Sequence, residues 1–114
     1  MTTIKIQGTN TREFLLSEGA GRISREQIVV VKGDALPAGQ LLGTTGTSEY
    51  APYDNTATDG SEIATAILYG PLAASTEPRP AVGIVRLAEV AEARLTGLDA
   101  AARSDLAAHY VIVR

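Results

Sequence analysis

The sequence predicts a mainly β domain, a small β-barrel or β-clip-like fold of α+β character, with one short C-terminal helix and a flexible N-terminal arm. Short apolar or β-branched runs separated by Gly- and Pro-containing turns recur through residues 27–113 and give six or seven strands. Helical spacing of apolar residues is found close to the C-terminus. Residues 1–25 are mostly polar and charged, which is typical of an arm.

The composition sets the character of the core. A chain of 114 residues is expected to form one domain. Hydrophobic residues make up 45% of it but aromatic residues only 4%, so the core must consist mainly of Leu, Ile, Val and Ala. The absence of cysteine excludes disulfide bonds and thiolate metal ligands. The chain shows no signal-peptide pattern and no apolar run of the ~20 residues that a membrane span requires, so we expect a soluble protein.

The charge is distributed unevenly. Residues 1–32 carry five basic and three acidic residues, whereas residues 33–114 carry five arginines and ten carboxylates, within a net charge of −3. An acidic body disfavours nucleic-acid binding, which normally needs a basic stripe that displaces counterions. The basic first third is either ordinary solvated charge or a segment that docks on an acidic surface.

One apolar cluster stands out in the predicted arm, residues 1–25. Residues 14–16 (Phe-Leu-Leu) include the only Phe of the chain and have polar or charged neighbours. Such a cluster must be buried, either on the body domain, residues 26–114, or on a partner. Ile4 and Ile6 alternate with polar residues, which is a weak strand pattern.

The sequence of the first half of the body domain predicts three strands. Residues 27–32 are mainly apolar and β-branched and predict a buried strand. Residues 40–42 and 49–53 flank a Gly-containing loop and predict a hairpin. Pro52 cannot donate a ladder hydrogen bond, so the second hairpin strand is expected at a sheet edge.

The second half of the body predicts three more strands. Residues 63–69 are largely apolar on both faces and predict a strand inside the sheet. Residues 70–80 contain three prolines and predict a loop. Residues 81–90 predict a strand whose apolar positions change face, which indicates a β-bulge. Residues 110–113 predict the closing strand.

A short helix is predicted before that closing strand. Leu98, Ala102 and Leu106 recur every four residues and form one apolar stripe. Thr96 and Asp99 have the spacing of a capping box, with Asp in place of Glu, which places the start of the helix at Thr96.

No group of residues predicts catalysis. His109 is the only histidine, and Ser104 and Asp105 are too close to it in sequence to make a Ser-His-Asp triad. A place at the end of the helix, beside its dipole, is the favoured role for His109. The Gly-containing loops lack the Gly-Lys-Ser/Thr of a phosphate loop. Nothing singles out a pair among the thirteen carboxylates for acid–base chemistry, so we expect no enzyme and no cofactor.

Residues 54–60 (Asp-Asn-Thr-Ala-Thr-Asp-Gly) have a superficial similarity to a calcium loop. The EF-hand pattern requires an oxygen ligand where this chain has Ala57, and a bidentate Glu where it has Ala66. The match therefore fails. We expect the Asp and Thr side chains to cap their own backbone turns, and we predict no metal site.

Several segments together indicate a family. Residues 14–26 hold an apolar-Leu-Ser-Glu element followed by Ser-Arg-Glu, and residues 36–43 hold a Leu-Pro-Ala-Gly turn followed by Leu-Gly. A long run from Tyr to Ile covers residues 50–67, and Val-Arg precedes Ala-Glu-Val at residues 85–90. In this order and spacing the chain resembles the lambda-type head decoration proteins of tailed bacteriophages. It departs from them where relatives often place a Gly before the closing strand. Here His109 and Tyr110 occupy that place, so a left-handed helix end costs more.

The resemblance implies a structural function. Family members sit as trimers at the three-fold and quasi-three-fold positions outside the expanded capsid and stabilise it, with an N-terminal arm that orders against the coat protein. The implied partners are the chain itself, as a homotrimer, and the major capsid protein, without cofactor, nucleic acid or membrane. The implied location is the virion exterior, and the host cytoplasm during assembly. The candidate capsid-binding residues are Ile4, Ile6, Arg12, Phe14, Leu15 and Leu16, and the candidate trimer-interface residues are Tyr50, Pro52, Tyr53 and Tyr69.

Two alternatives are kept beside this reading. A β-barrel adhesive or carbohydrate-binding module needs exposed aromatic side chains, for which the chain offers four tyrosines. An enzyme needs a nucleophile or an acid–base pair, which the sequence does not display.

Overall fold

A computed structural model describes residues 14–19 and 23–114. This part of the chain forms eight β-strands, one α-helix and one 3-10 turn, which confirms the mainly β class. The strands are β1 (Leu15–Glu18), β2 (Arg25–Val30), β3 (Leu41–Thr44), β4 (Tyr50–Pro52), β5 (Ala66–Leu68), β6 (Arg79–Ile84), β7 (Ala88–Val90) and β8 (Val111–Val113), with the 3-10 turn at Glu92–Arg94 and helix α1 at Ala100–Ala107.

Five strands close into a barrel in the order β2-β4-β3-β5-β6. Its longest ladder joins β2 and β6, which run antiparallel from the pair Arg25↔Ile84 to the pair Val30↔Arg79. The β-branched residues predicted to form a buried strand at 27–32 supply much of β2, which confirms a strand there. Its burial is one-sided, because Ile28 and Val30 are buried and Val29 is 42% exposed. The barrel closes where β2 and β4 run parallel, with Val30↔Tyr50 as their paired position.

The barrel corrects the prediction that Pro52 lies in an edge strand. β4 pairs with β3 on one side, where Leu42 faces Pro52, and with β2 at Tyr50 on the other side. The strand is therefore internal. The amide of Tyr53 donates to the carbonyl of Leu41 at 2.9 Å, so by alternation the Pro52 nitrogen faces the side where the β2 pairing has already ended. No ladder hydrogen bond is lost there.

The remaining strands form a small sheet in the order β1-β7-β8. β1 runs antiparallel to β7, with an irregularity between Leu15 and Ser17 that leaves Leu16 as an extra residue. β8 runs parallel to β7. Within the residues that the structure describes, β1 and β8 are the two border strands of this sheet.

The strand predicted at residues 81–90 is in fact two strands in two different sheets. β6 ends at Ile84 in the barrel, and β7 begins at Ala88 in the small sheet. Leu87, just before β7, has a φ of 54° and redirects the chain between them. The change of apolar face in the sequence marks this crossing, so the predicted bulge is wrong.

The strand predicted at residues 63–69 is shorter than expected. Only Ala66–Leu68 is a strand, and all three of its residues are buried. Ile63 is 51% exposed. The amide of Ala64 donates to the carboxylate of Asp105 at 3.1 Å, so a helix side chain replaces a strand partner at this position.

Helix α1 begins three residues later than the sequence predicts. Its N-cap is Asp99, whose carboxylate accepts a hydrogen bond from the amide of Ala102 at 2.7 Å. Gly97 has a φ of 92°, which a right-handed helix does not contain. Thr96 instead donates from its amide to the carbonyl of Gly39 at 3.0 Å. The predicted capping box is therefore wrong, although Asp99 does cap the helix.

The apolar stripe of the helix is confirmed at two of its three positions, because Leu98 lies before the N-cap. Ala102 and Leu106 are fully buried, and Leu98 packs against the same cluster. His109 is exposed just beyond the helix, as predicted. Tyr110 has a φ of 61°, so the chain takes a left-handed conformation after the helix without a glycine. None of the helices in the described segments is long and apolar enough to span a membrane.

The core joins both sheets and the helix. Its larger cluster contains buried residues from the barrel, the small sheet and α1, among them Leu41, Ile67, Val90 and Leu106. A smaller cluster within the barrel includes Val30. The two sheets and the helix therefore form one unit around a shared core.

Residues at the end of the predicted arm also belong to this unit. Phe14 is fully buried in the larger cluster, and β1 pairs with β7. The apolar cluster at residues 14–16 thus packs largely on the chain's own body. The predictions for residues 1–13 and 20–22 lie outside the described residues.

Candidate interaction surface

The predicted capsid-binding residues differ in their exposure. Ile4, Ile6 and Arg12 lie outside the described residues. Phe14 is 0% exposed, and Leu15 is half-buried against the same core cluster. Leu16 is 53% exposed. Among the described members of this group, Leu16 therefore has the largest exposed fraction and is the most accessible to a partner.

The four predicted trimer-interface residues are at least half-buried in the single chain. Tyr50 and Pro52 are half-buried on β4, and Tyr53, which follows them, is buried. Tyr69 is half-buried beneath the guanidinium of Arg25, whose carbon lies 4.5 Å from the centre of the tyrosine ring. The structure therefore places three of these residues in one segment, and Tyr69 in a contact with β2.

Tyr53 uses its hydroxyl inside the chain. It donates to the carboxylate oxygens of Asp99 at 2.9 and 3.1 Å, and the amide of Asn55 donates to one of them at 2.9 Å. Together with the capping bond from Ala102, these donors lower the pKa of Asp99, and the Ala102 amide is the largest cause. Burial, followed by the bond to Asp99, raises the pKa of Tyr53 to about 12. This group of hydrogen-bonded side chains therefore links the end of β4 to the start of α1.

The acidic loop at residues 54–60 forms two self-capped turns, as predicted. Asp54 accepts hydrogen bonds from the amide and hydroxyl of Thr56, at 2.9 and 2.7 Å. Asp59 accepts the same pair from Ser61, at 3.0 and 2.7 Å. These hydroxyl and amide donors lower the pKa of both carboxyls. Across the described ranges no three His, Cys, Asp or Glu side chains gather where they could hold a metal ion.

Arg79 is a buried cation that sequence reasoning missed. It is 7% exposed, and it donates to three backbone carbonyls, those of Val31 at 2.7 Å, Asp34 at 2.9 Å and Ala73 at 2.8 Å. These hydrogen bonds hold the loops that contain Asp34 and Ala73 against the end of β2. A lone Arg between two prolines gives no sequence signal for such burial, because its partners are backbone atoms of distant loops.

Sequence reasoning also missed an apolar surface on the small sheet. A shallow groove of about 430 Å³ lies at one end of this sheet. Ile23, Leu87, Tyr110 and Ile112 line it, with exposed fractions between 41% and 69%. The sequence shows these residues as ordinary apolar positions, and only the fold brings them to one surface.

Comparison with known proteins identifies the family of this chain. No curated protein sequence matched the chain. A family model described as bacteriophage lambda head decoration protein D matches residues 4–111. The match spans the barrel, helix α1 and the small sheet as far as the first residue of β8. Because it covers nearly the whole chain, the chain belongs to the bacteriophage lambda head decoration protein D family.

Proposed function

We propose that the chain binds as a homotrimer to the outside of the expanded capsid, at three-fold and quasi-three-fold positions, and stabilises the shell there. Family membership makes it a structural protein associated with the phage capsid. The observation that carries the proposal is the family match over residues 4–111. Location on the virion exterior, reached from the host cytoplasm during assembly, is part of the same proposal.

In this proposal residues 1–13 are the arm that contacts the major capsid protein, with Ile4, Ile6 and Arg12 among its contacts. A boundary at residue 13 is supported by the burial of Phe14 and the pairing of β1 in the body. Fixing thirteen arm residues costs on the order of 13–26 kcal/mol of backbone entropy, so one arm is expected to bind weakly. Three arms on one trimer raise the affinity by about 10²–10⁴ through effective concentration, which is why the proposal requires the trimer.

The experiment has two stages. Analytical ultracentrifugation over a dilution series measures the association state of the free chain, which we expect to be a trimer, or a monomer that trimerises on the shell. Co-sedimentation with empty shells, before and after expansion, measures binding, which we expect only for expanded shells. Expanded shells with the chain bound should resist heating better than bare ones. Equal binding to both shell forms, or binding without any effect on shell stability, would contradict the proposal.

A carbohydrate-binding module finds no support in the described residues. Tyr110 is 69% exposed, whereas Tyr50 and Tyr69 are half-buried and Tyr53 is buried. Sugar-binding platforms normally stack the sugar on exposed aromatic faces. Tyr50, Tyr53 and Tyr69 serve packing and internal contacts instead, and Tyr110 alone does not make such a platform.

A further inference from the structure

Asp59 and Gly60 form the only place in the sequence where Asp or Asn precedes a glycine. Such a pair favours spontaneous isomerisation of the peptide backbone, because glycine has no Cβ to crowd its nitrogen and its backbone rotates freely. Asp59 is exposed and Gly60 is half-buried, in a loop outside the strands and the helix, so water reaches the pair. The bond between these two residues is therefore the reactive backbone position to consider.

The isomerisation has two steps and needs only water. The backbone nitrogen of Gly60 attacks Cγ of the protonated Asp59 carboxyl group. A carbon–oxygen bond of that group breaks, and one water molecule leaves with the proton of the Gly60 amide. Water then opens the resulting succinimide ring. Attack at Cγ restores Asp59, whereas attack at the main-chain carbonyl carbon of Asp59 leaves an isoaspartyl residue, in which the main chain runs through Cβ and Cγ.

Ser61 holds the carboxyl group of Asp59 in its unreactive form. The amide and the hydroxyl of Ser61 donate to Oδ1 of Asp59 at 3.0 and 2.7 Å. Both bonds favour the ionised carboxylate, and the Ser61 hydroxyl is the largest cause of the lowered pKa of Asp59. A carboxylate has no hydroxyl group to expel as water, so it is a poor target for the Gly60 nitrogen. Ser61 is 3% exposed, so little water competes for its two donors.

Glu62 holds the proton of the attacking nitrogen. The amide of Gly60 donates to Oε1 of Glu62 at 2.8 Å. This amide must lose its proton when the nitrogen attacks Cγ. A carboxylate is a far weaker base than a deprotonated amide, so Glu62 does not remove the proton. The hydrogen bond therefore stabilises the unreacted amide.

The backbone around Gly60 leaves little room for the reaction. Gly60 has a φ of 111°, and a Cβ at this position would collide with the carbonyl oxygen of Thr44. The carbonyl of Ser61 accepts from the amide of Asp54 at 3.1 Å, which fixes the other end of the loop. Ring closure requires the nitrogen and Cγ to align, and a fixed backbone opposes that movement.

We propose that Asp59–Gly60 is a site of spontaneous backbone isomerisation, and that the hydrogen bonds of Ser61 and Glu62 restrain the reaction in the folded chain. Isomerisation displaces the carboxylate that Ser61 binds and lengthens the main chain by one carbon beside Thr44. The isoaspartyl form is therefore less stable than the unmodified chain.

A second turn in the same loop provides an internal comparison. Asp54 accepts hydrogen bonds from the amide and hydroxyl of Thr56, as Asp59 does from Ser61. Asn55, and not a glycine, follows Asp54. The nitrogen of Asn55 carries a crowded Cα, so we expect no isomerisation at Asp54.

The test measures isoaspartate in the full chain during prolonged incubation at neutral pH. Peptide mapping, combined with labelling by an isoaspartate-specific methyltransferase, gives the position and the amount. Isoaspartate should form at Asp59 and not at Asp54. It should form at least about tenfold more slowly in the folded chain than in the chain unfolded in guanidinium, because unfolding removes both hydrogen-bonded restraints. The isoaspartyl form, separated by chromatography, should have a lower Tm.

Three variants separate the two restraints. Ser61→Ala and Glu62→Ala should each raise the rate in the folded chain about five- to tenfold, the factor that corresponds to one hydrogen bond lost from the ground state alone. Glu62→Gln is the matched control, because it keeps an oxygen that accepts from the Gly60 amide, and its rate should stay close to that of the unmodified chain. Thermal unfolding shows whether each variant is folded at the incubation temperature.

Three outcomes would overturn this inference. Equal rates in the folded and unfolded chain would show that the fold does not restrain the reaction, whatever the stability of the variants. Unchanged rates in both alanine variants would remove the assigned roles of Ser61 and Glu62. A clearly slower reaction in Glu62→Gln would make Glu62 a base that promotes the reaction and not a group that restrains it.

Discussion

The carboxylate of Asp99 is the side chain on which the junction between barrel and helix most depends. It caps helix α1 through Ala102, accepts from the hydroxyl of Tyr53, and accepts from the amide of Asn55. These groups come from two distant parts of the chain. One ionised group therefore fixes both the start of the helix and the end of β4.

Stability should fall in acid because of this junction. The folded-state pKa of Asp99 lies below its usual value, mainly because the Ala102 amide bonds the ionised form. The stabilisation is therefore present above an unfolded pKa of about 4, and is lost as the pH falls through the lower folded pKa. Asp54 and Asp59 act with the same sign. Thermal unfolding at a series of pH values between about 5 and 2 should show a falling Tm.

Two variants separate Asp99 from the other carboxylates. Asp99→Asn keeps a capping side chain but removes the titration, so the fall in Tm with acid should become shallower. Tyr53→Phe removes one donor to Asp99 and should reduce the fall to a smaller extent. Tyr53→Phe should also weaken the decline above pH 10, because the Tyr53 pKa is raised to about 12 and its contribution is lost as the pH approaches that value. An acid decline identical in all three proteins would refute this account.

Strand β1 is the element whose assignment changes most between sequence and structure. A polar stretch with one apolar cluster predicts an arm, yet Phe14 is fully buried and Leu15 pairs with Val90. The apolar cluster at residues 14–16 therefore packs largely against other parts of the same chain. The boundary between arm and body is thus set by where the apolar residues can be buried, and not by average polarity.

Two truncations should behave differently. Removal of residues 1–13 keeps Phe14 and β1, so the body should stay folded. Removal of residues 1–25 also deletes Phe14, β1 and the first residue of β2, and should lower the free energy of unfolding by about 3–5 kcal/mol or more relative to the shorter truncation. Urea unfolding of both proteins measures the difference. Equal stability of the two truncated proteins would show that β1 contributes little to the body.

The sequence predicts elements well where local pattern and tertiary structure agree. The β-branched run became β2, and the stripe of Ala102 and Leu106 became the buried face of α1. The sequence does not predict the elements correctly where a single backbone φ angle sets the direction of the chain. The left-handed conformation of Leu87 divides a continuous apolar run between two sheets, and the φ of Gly97 delays the helix to Asp99. Such angles depend on distant hydrogen bonds that no local pattern displays.

The interaction surface was less predictable than the fold. Sequence reasoning chose Phe14 as part of an apolar cluster in a polar arm and Tyr53 as a trimer-interface candidate, and the structure buries both. It passed over Leu87, Tyr110 and Ile112, which lie in three-residue strands or immediately before them. Exposure at these positions follows from the register of β1, β7 and β8, which is a property of the assembled sheet.

The molecule as a whole should unfold in one step. Barrel, small sheet and helix meet in a single larger cluster that includes Leu41, Val90 and Leu106. Leu106→Ala should therefore lower the free energy of unfolding by about 2–5 kcal/mol for the entire chain. Tyrosine fluorescence, which reports mainly on the barrel, and far-ultraviolet circular dichroism should give coincident transitions in both proteins. Separate transitions would show that the small sheet unfolds independently.

Closure of the barrel has a consequence for a protein made in many copies. The five barrel strands pair around a closed ring, in which β2 and β4 meet at the single position Val30↔Tyr50, so they give a neighbouring molecule few free backbone groups on which to build. In the part of the chain that the structure describes, β1 and β8 are the border strands at which such pairing could begin. The closed ring of backbone pairing therefore lowers the tendency of this body to associate strand to strand.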